Sequence, residues 1–183
     1  LKVQNNFPLK VKKLEIFQVN IGYMCNQVCK HCHVDAGPDR KEIMTKDTMK
    51  QCLEAIKKSG ANTVDITGGA PEMNPHFRWF IEELTKIGVD DIIVRSNLTI
   101  IVANKKYRNL PGFFKANNIH LISSLPCYTE DNVDKQRGDG VFTDSLEALK
   151  MLNEVGYGVE NSGLKLDLVF NPGGASLPGN QHS

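Results

Sequence analysis

Three of the five cysteines in this 183-residue chain fall within eight positions, as Cys25-Asn26-Gln27-Val28-Cys29-Lys30-His31-Cys32. Thiolates are soft ligands that suit iron–sulfur clusters and zinc. The number three matters, because a [4Fe-4S] cube has four irons, and three cysteines leave one iron open to a substrate or cofactor. The same spacing, i, i+4, i+7, would line one face of a helix, which gives a buried apolar stripe as the bland reading. Against that reading stand Asn26, Gln27, Lys30 and two histidines interleaved with the thiols. Zinc held by the three cysteines with His31 or His33 as fourth ligand is the stronger rival, since Cys3His is a common structural set. An electron-carrying cluster would want a fourth protein thiolate, and Cys127 would have to reach across the fold to supply it.

A second group of residues follows other strand-like segments. Thr67-Gly68-Gly69-Ala70-Pro71-Glu72 pairs two glycines, which allow close backbone approach, with a proline that stiffens the exit. Taken alone, such a segment is most often only a turn. Asn97, Ser123 and Ser124 are polar residues at strand ends, and Cys127 stands in Leu125-Pro126-Cys127-Tyr128. A thiolate at Cys127 could hold a thiophilic substrate; the plainer role is a small half-buried apolar residue. Cys52 falls on the inner face of a helical pattern and is expected in the core. Arg137, in Gln136-Arg137-Gly138, is either solvated or a substrate contact.

The elements that must position these residues alternate regularly. Lys13–Asn20 alternates apolar with polar residues and reads as a strand ending near Gly22, with the cysteines directly after it. Thr45 is expected to cap a helix that carries Met49, Cys52, Leu53 and Ile56 inward and stops at Gly60. Thr63–Thr67 is a second strand, followed by a helix from about Pro75 to Lys86 with Phe77, Phe80, Ile81 and Leu84 inward. Asp91–Ser96 is a third strand, Leu110–Lys115 one or two helical turns, and Ile119–Leu125 a fourth strand. Asp144–Val155 is a helix closed by Gly156, with Leu146, Leu149, Met151 and Leu152 as its apolar residues; Leu164–Phe170 is a fifth strand. Strand, loop and helix repeat, so parallel strands joined by right-handed crossovers are expected, in an α/β partial barrel. Catalytic groups in barrels of this kind lie at the C-terminal ends of strands, where every loop singled out above leaves its strand.

The formal net charge is +1, from 22 basic and 21 acidic residues, and offers no footprint for nucleic acid or an anionic membrane. A small-molecule partner is expected. No apolar run approaches the roughly 18 residues of a membrane span, so a soluble, cytoplasmic protein is the default. Clustered rather than evenly spread cysteines fit a metal site in a reducing compartment. The chain opens on Leu1 and ends in a polar, turn-forming tail, which reads as one domain, residues 1–183, taken from a longer protein.

CxxxCxxC after the first strand of a partial barrel resembles the radical S-adenosylmethionine (SAM) superfamily. The wider string from Asn20 to Arg40, with Cys32-His33-Val34-Asp35-Ala36-Gly37-Pro38-Asp39-Arg40, is similar to one branch, the arsenosugar-biosynthesis radical SAM proteins. The resemblance implies a partial (β/α)6-type barrel ending after the fifth strand, with a [4Fe-4S] cluster on Cys25, Cys29 and Cys32. It further implies that SAM chelates the open iron. An electron from an external low-potential donor then breaks a carbon–sulfur bond to give a 5′-deoxyadenosyl radical.

In the superfamily the residue before the last cysteine is typically aromatic and lies by the adenine; His31 stands there. Gly68, Gly69, Ala70 and Pro71 resemble a Gly-Gly-Glu-Pro segment that binds the SAM amino group, with Ala70 replacing the Glu and Glu72 a possible compensation. Asn97 matches the Asn of a Thr-Asn-Gly-like segment, Ser123 and Ser124 stand where ribose or carboxylate contacts occur, and Asn171-Pro172-Gly173-Gly174 takes the place that packs on adenine. The branch implies joining of the 5′-deoxyadenosyl group to a dimethylated trivalent arsenical; trivalent arsenic is thiophilic, which makes Cys127 a candidate substrate contact, and Arg137, in a segment similar to a family loop before the last long helix, is a second candidate. Other members act on peptides or other small molecules.

Overall fold

In a computed structural model, residues 12–30 and 32–170 are described. Five strands form one sheet: β1 (Ile16–Asn20), β2 (Thr63–Thr67), β3 (Asp91–Ser96), β4 (His120–Ser124) and β5 (Leu166–Val169). Each pairs in parallel with the next, in the order β1-β2-β3-β4-β5. Consecutive parallel strands require a crossover each time, and here every crossover carries helix, the winding expected of a partial barrel.

The alternation of side chains splits the sheet into two faces. Val64, Ile66, Ile92, Val94 and Leu121 are buried in the main core with Phe77, Phe80, Ile81, Leu84, Phe114 and Leu152 from the helices. The other face carries Gln18, Asp65, Arg95, Ile122 and Ser124 at successive strand positions, and it is polar. There Asp65 accepts two hydrogen bonds from Arg95 Nε and one from Nη2, at 2.9–3.1 Å, and one from Gln18 Nε2 at 2.8 Å. One buried carboxylate thus ties β1, β2 and β3 together across the concave face.

α1 (Lys46–Ser59) starts where its cap predicts, with Thr45 Oγ1 accepting from Thr48 N at 3.2 Å, and stops at Gly60 in the left-handed region. Met49, Leu53 and Ile56 are buried; Cys52 is only partly so, packed at the core edge with its thiol 4.0 Å from Met44 Sδ. α2 (Phe77–Lys86) begins two residues later than expected, because Asn74 and His76 close a turn ahead of it. Between β3 and β4 the chain forms α3 (Ile100–Ala103), a 3-10 turn at Lys105–Tyr107 and α4 (Leu110–Ala116).

The largest departure lies after β4. α5 (Glu130–Arg137) was not expected, since it buries only Val133 and shows no apolar period. α6 (Val141–Val155) begins at Val141 rather than Asp144, because Gly138 and Gly140 take positive φ and Asp134 caps the new start through Gly140 N and Phe142 N. Leu146 is exposed, and Val141, Ser145, Ala148 and Leu152 form the buried stripe instead. No helix among the described residues is long and apolar enough to cross a membrane.

Candidate active site at the strand ends

The chain leaves β1 at Asn20 and makes no helix until α1, so the three cysteines lie on a loop and the helical-stripe reading fails. The loop folds back on itself. Gly22 bridges Ile43 and Met24 bridges Gly37, while Cys25 N donates to Gly37 O at 3.1 Å and Gly37 N to Tyr23 O at 3.1 Å. Arg40 closes the return arm by pairing with Asp35 and Glu42 and lying over the Tyr23 ring at 4.9 Å. The residues from Asp35 to Arg40 that extend the cysteine motif therefore build its second wall. Asn74, buried, braces the base through Ile21 O and Met44 O at 2.9 and 3.0 Å.

The glycine loop fits against this arm with almost no clearance. A Cβ on Gly68 would stand 2.5 Å from Gly22 O, and one on Gly69 would stand 2.5 Å from Met24 O and 2.9 Å from Ala36 Cβ. Gly69 N and Ala70 N donate to Gly22 O and Met24 O, both at 2.9 Å. The close approach that paired glycines allow is thus, in the first place, to the cysteine loop. Pro71 opens a 3-10 turn, and Ala70 and Pro71 are buried behind it.

Cys25, Cys29 and Cys32 line one cavity of about 470 Å³, together with Gly68, Gly69, Arg95, Asn97, Ser124, Arg137 and Phe170 among others. That volume suits a small cofactor or ligand. Burial pushes the Cys25 and Cys29 thiols up; the Arg137 guanidinium pulls both down, and the neighbouring cysteines raise them. Ala36 N donates to Cys32 Sγ at 3.2 Å and Asn97 Nδ2 to Cys25 Sγ at 3.4 Å. Such contacts favour thiolate sulfur.

Asn97 is otherwise engaged: Nδ2 donates to Asn26 Oδ1 at 3.0 Å, and its Oδ1 accepts from Thr99 Oγ1 and Ile100 N, each at 3.1 Å. It is a buried knot behind Cys25 that also forms cavity wall. Ser124 faces the cavity, whereas Ser123 points into the helix layer, fully buried and with no partner for its hydroxyl among the described residues.

Glu72 does not line the cavity and so does not stand in for the carboxylate that Ala70 lacks. It is buried against the end of β3, where among the described residues neither carboxyl oxygen makes a hydrogen bond. Burial raises it to about 7; the nearby Ser96 hydroxyl and its own backbone amide oppose only part of the rise. Cys127 lies one residue past Pro126 in the cavity wall and is not itself part of that wall. Its sulfur is 3.5 Å from Thr129 Oγ1, and hydrogen bonding from Thr129 lowers the thiol. Arg137 sits beside the thiols, with Nη2 donating to Gln27 Oε1 at 2.8 Å. His33 lines the cavity from an exposed position; His31 and Asn171–Gly174 lie outside the described residues.

Sequence reasoning missed Gln27, Asn74 and the Gln18–Asp65–Arg95 network. An amide set between two cysteines was a signal for Gln27; Arg95, in an otherwise apolar strand, was one for the network. Nothing in the sequence marked Asn74.

Comparison with known proteins agrees with this geometry. Residues 19–170 match the family model of the radical SAM superfamily. A probable GTP 3′,8-cyclase of Saccharolobus solfataricus is 23% identical over 160 residues, covering 87% of this chain and 49% of that protein; a Saccharolobus islandicus counterpart aligns to the same extent. The chain thus spans about half the length of the curated relatives it matches. In fold it is similar to Streptococcus suis SuiB bound to S-adenosylmethionine, with TM-score 0.64 and 16% identity over 85% of this chain and 33% of that one. It is likewise similar to anSMEcpe with bound AdoMet, with TM-score 0.65 and 14% identity over 87% and 43% of the two chains. With the family model matched from the end of β1 to the end of β5, and the thiols and glycines at the mouth of a parallel sheet, this chain belongs to the radical SAM superfamily.

Proposed function

We propose that the chain forms the core domain in which a [4Fe-4S] cluster, held by Cys25, Cys29 and Cys32, meets SAM. One observation carries this reading: the three thiols and the Gly68-Gly69 edge line the same cavity at the C-terminal ends of the strands. The donor set fits the cluster better than zinc. A single zinc ion draws its ligands to one point at about 2.0–2.3 Å, while a cube spreads three thiolates over separate irons. Among the described residues no three His, Cys, Asp or Glu side chains are grouped to hold one metal ion. When bound, such a cluster would pass on one electron from an external low-potential donor, the chemistry that breaks a carbon–sulfur bond of SAM to give methionine and a 5′-deoxyadenosyl radical.

The chain's own groups then bind and orient. With the Gly69 and Ala70 amides occupied, and Thr67 O and Ala70 O accepting from Ile21 N and Met73 N, the glycine loop has the Gly68 and Gly69 carbonyl oxygens to offer an ammonium group, the polarity that the SAM amino group requires. Ser124 and His31 remain the polar contacts proposed for the rest of SAM, and Asn97 acts chiefly by fixing Cys25. For the substrate we propose a dimethylated trivalent arsenical that receives the 5′-deoxyadenosyl group, on the strength of the Asn20–Arg40 string and the Gly-Gly-Ala-Pro form. Cys127, one residue beyond the wall, is its proposed thiol contact, with Arg137 at the wall itself. A second reading, a purine nucleotide substrate, is favoured by the GTP 3′,8-cyclase relatives.

Anaerobic reconstitution with iron and sulfide, followed by EPR of the reduced protein with and without SAM, tests the core reading. A cubane signal that changes with SAM and is absent in Cys29→Ala supports it; bound zinc, or a signal indifferent to SAM, refutes it. Incubation with SAM, reductant and either dimethylarsinous acid or GTP then separates the substrates. An adenosylated arsenical by mass spectrometry supports the first reading, and GTP consumption the second.

A further inference from the structure

Arg95 stands on β3, the middle strand of the five, with Asp65 on β2 beside it. Asp65 takes one edge of the guanidinium, accepting from Nε at 2.9 and 3.1 Å and from Nη2 at 2.9 Å, and also accepts from Gln18 Nε2 at 2.8 Å. The carboxylate side chain is 6% exposed and the arginine side chain 45%. A guanidinium carries five N–H donors in a rigid fork. With the Nε–Nη2 edge filled, Nη1 has no hydrogen-bond partner among the described residues, so the Nη1–Nη2 edge is left open.

Stability alone does not account for this pair. Removing two charges from water often costs as much as their attraction returns, and apolar residues of similar volume hold strands together at least as well. The sheet side of the cavity is otherwise uncharged: Thr67, Ile122 and Val169 line it from β2, β4 and β5, with Arg95 among them. None of the described residues that line the cavity is Asp or Glu. The other guanidinium there, Arg137, serves the cysteine side, where it holds Gln27 and pulls the Cys25 and Cys29 thiols down. Arg95 is thus a fork gripped from behind by a buried carboxylate, with its unpaired edge left for a ligand of the cavity.

We propose that Arg95, oriented by Asp65, binds a phosphate or carboxylate group of the substrate through its Nη1–Nη2 edge, and so selects substrates that carry such a group. The proposal rests on the reading of this cavity as the place where substrate meets SAM. Two parallel N–H donors match the paired oxygens of either anion. A nucleotide meets the requirement with its phosphates; a dimethylated arsenical meets it when its third arsenic ligand carries a carboxylate. Arg95 is then a substrate-binding residue and Asp65 a positioning residue.

The experiment is isothermal titration calorimetry on the oxidised, cluster-loaded full chain, with inorganic tripolyphosphate, succinate and SAM each as titrant. Wild type is compared with Arg95→Lys, Asp65→Asn and the Arg95→Met/Asp65→Asn double variant. Wild type should bind one of the two anions, and which one it binds tells phosphate from carboxylate. Its affinity for that anion should fall about ten- to hundredfold in Arg95→Lys, which keeps the charge and loses the fork. The double variant should lose as much, and it leaves no buried carboxylate unpaired, so it remains readable where a single variant folds poorly. Asp65→Asn should weaken the anion less, and SAM affinity should hold in all three. Failure of wild type to bind either anion, or equal anion affinity in the Arg95 variants, overturns the proposal. A parallel loss of SAM affinity in Arg95→Lys also overturns it, by giving Arg95 to the carboxylate of SAM itself. A wild-type protein that binds the anion and ignores SAM would instead sink the SAM reading, with the Arg95 comparison still to be made.

Discussion

Glu72 and Gly69 show what single residues contribute behind the site. With its carboxyl raised from its ordinary 4.5 to about 7 by burial, Glu72 stays protonated in the folded protein after the unfolded chain has lost its proton. Folded-state proton binding then exceeds unfolded-state binding, so stability falls as pH rises from 4.5 to 7 and the loss is complete above that window. The full effect is at most about 3 kcal/mol. Glu72→Gln, neutral and of the same shape, is expected to match wild type near pH 4.5 and to exceed it by up to that amount at pH 8, in urea unfolding. Equal stabilities at pH 8 would mean that the carboxylate has a partner. Gly69→Ala drives a methyl to 2.5 Å from Met24 O, a backbone atom that cannot swing aside. It should lower stability by about 1–3 kcal/mol and reduce iron loading together, because the atom displaced belongs to the cysteine loop.

At the scale of elements, α1 and β5 make opposite demands. α1 rests on a local signal, and Thr45→Ala should cost about 1 kcal/mol in urea unfolding with no change in iron content. β5 has one described neighbour strand, β4, and exposes much of its length. His120 helps to hold it, with Nε2 2.8 Å from Asp167 Oδ2 on β5 and Nδ1 3.3 Å from Asp91 Oδ2 on β3. His120→Ala is therefore expected to speed amide hydrogen exchange in Leu166–Val169 while leaving β2 protected; equal acceleration in both would show that the contact supports the whole sheet instead. The difference between the two elements explains what could be read in advance. β2 and β3 are short apolar runs bounded by turns, and α1 carries its own cap and stop, so local chemistry specified them. α5 is held by Val133, by Arg137 and by one backbone hydrogen bond from Lys30 N to Gln136 O, which reaches a loop more than a hundred residues earlier, and no local pattern encodes that. That the three cysteines would lie together on the loop after β1 was legible because their spacing is local; the Arg137–Gln27 clamp was not, because its partners are brought together only by the fold.

At the scale of the molecule, the cavity is walled by loops from the ends of several strands, and these loops touch one another. The cysteine arm touches the β2 loop through Gly68 and Gly69, the β3 loop through Asn97 and Thr99, and α5 through Gln27 and Lys30. A ligand bound among them adds a further tie between these loops, so its binding energy enters the folding equilibrium of the whole chain. Saturating SAM, at one hundred times its dissociation constant, stabilises by about 2.7 kcal/mol if the unfolded chain does not bind it. For a chain of this length each kcal/mol moves the melting temperature by roughly 2–4 °C, so the cluster-loaded protein, kept oxidised so that SAM stays intact, should melt roughly 5–11 °C higher with SAM than without. On the proposed reading, in which the open iron holds the SAM amino and carboxylate groups, chelating the iron first should abolish the shift. A SAM-dependent shift that persists in the iron-free protein would place SAM binding on the polypeptide alone. The strand-end loops, and not the open iron, would then be the primary site.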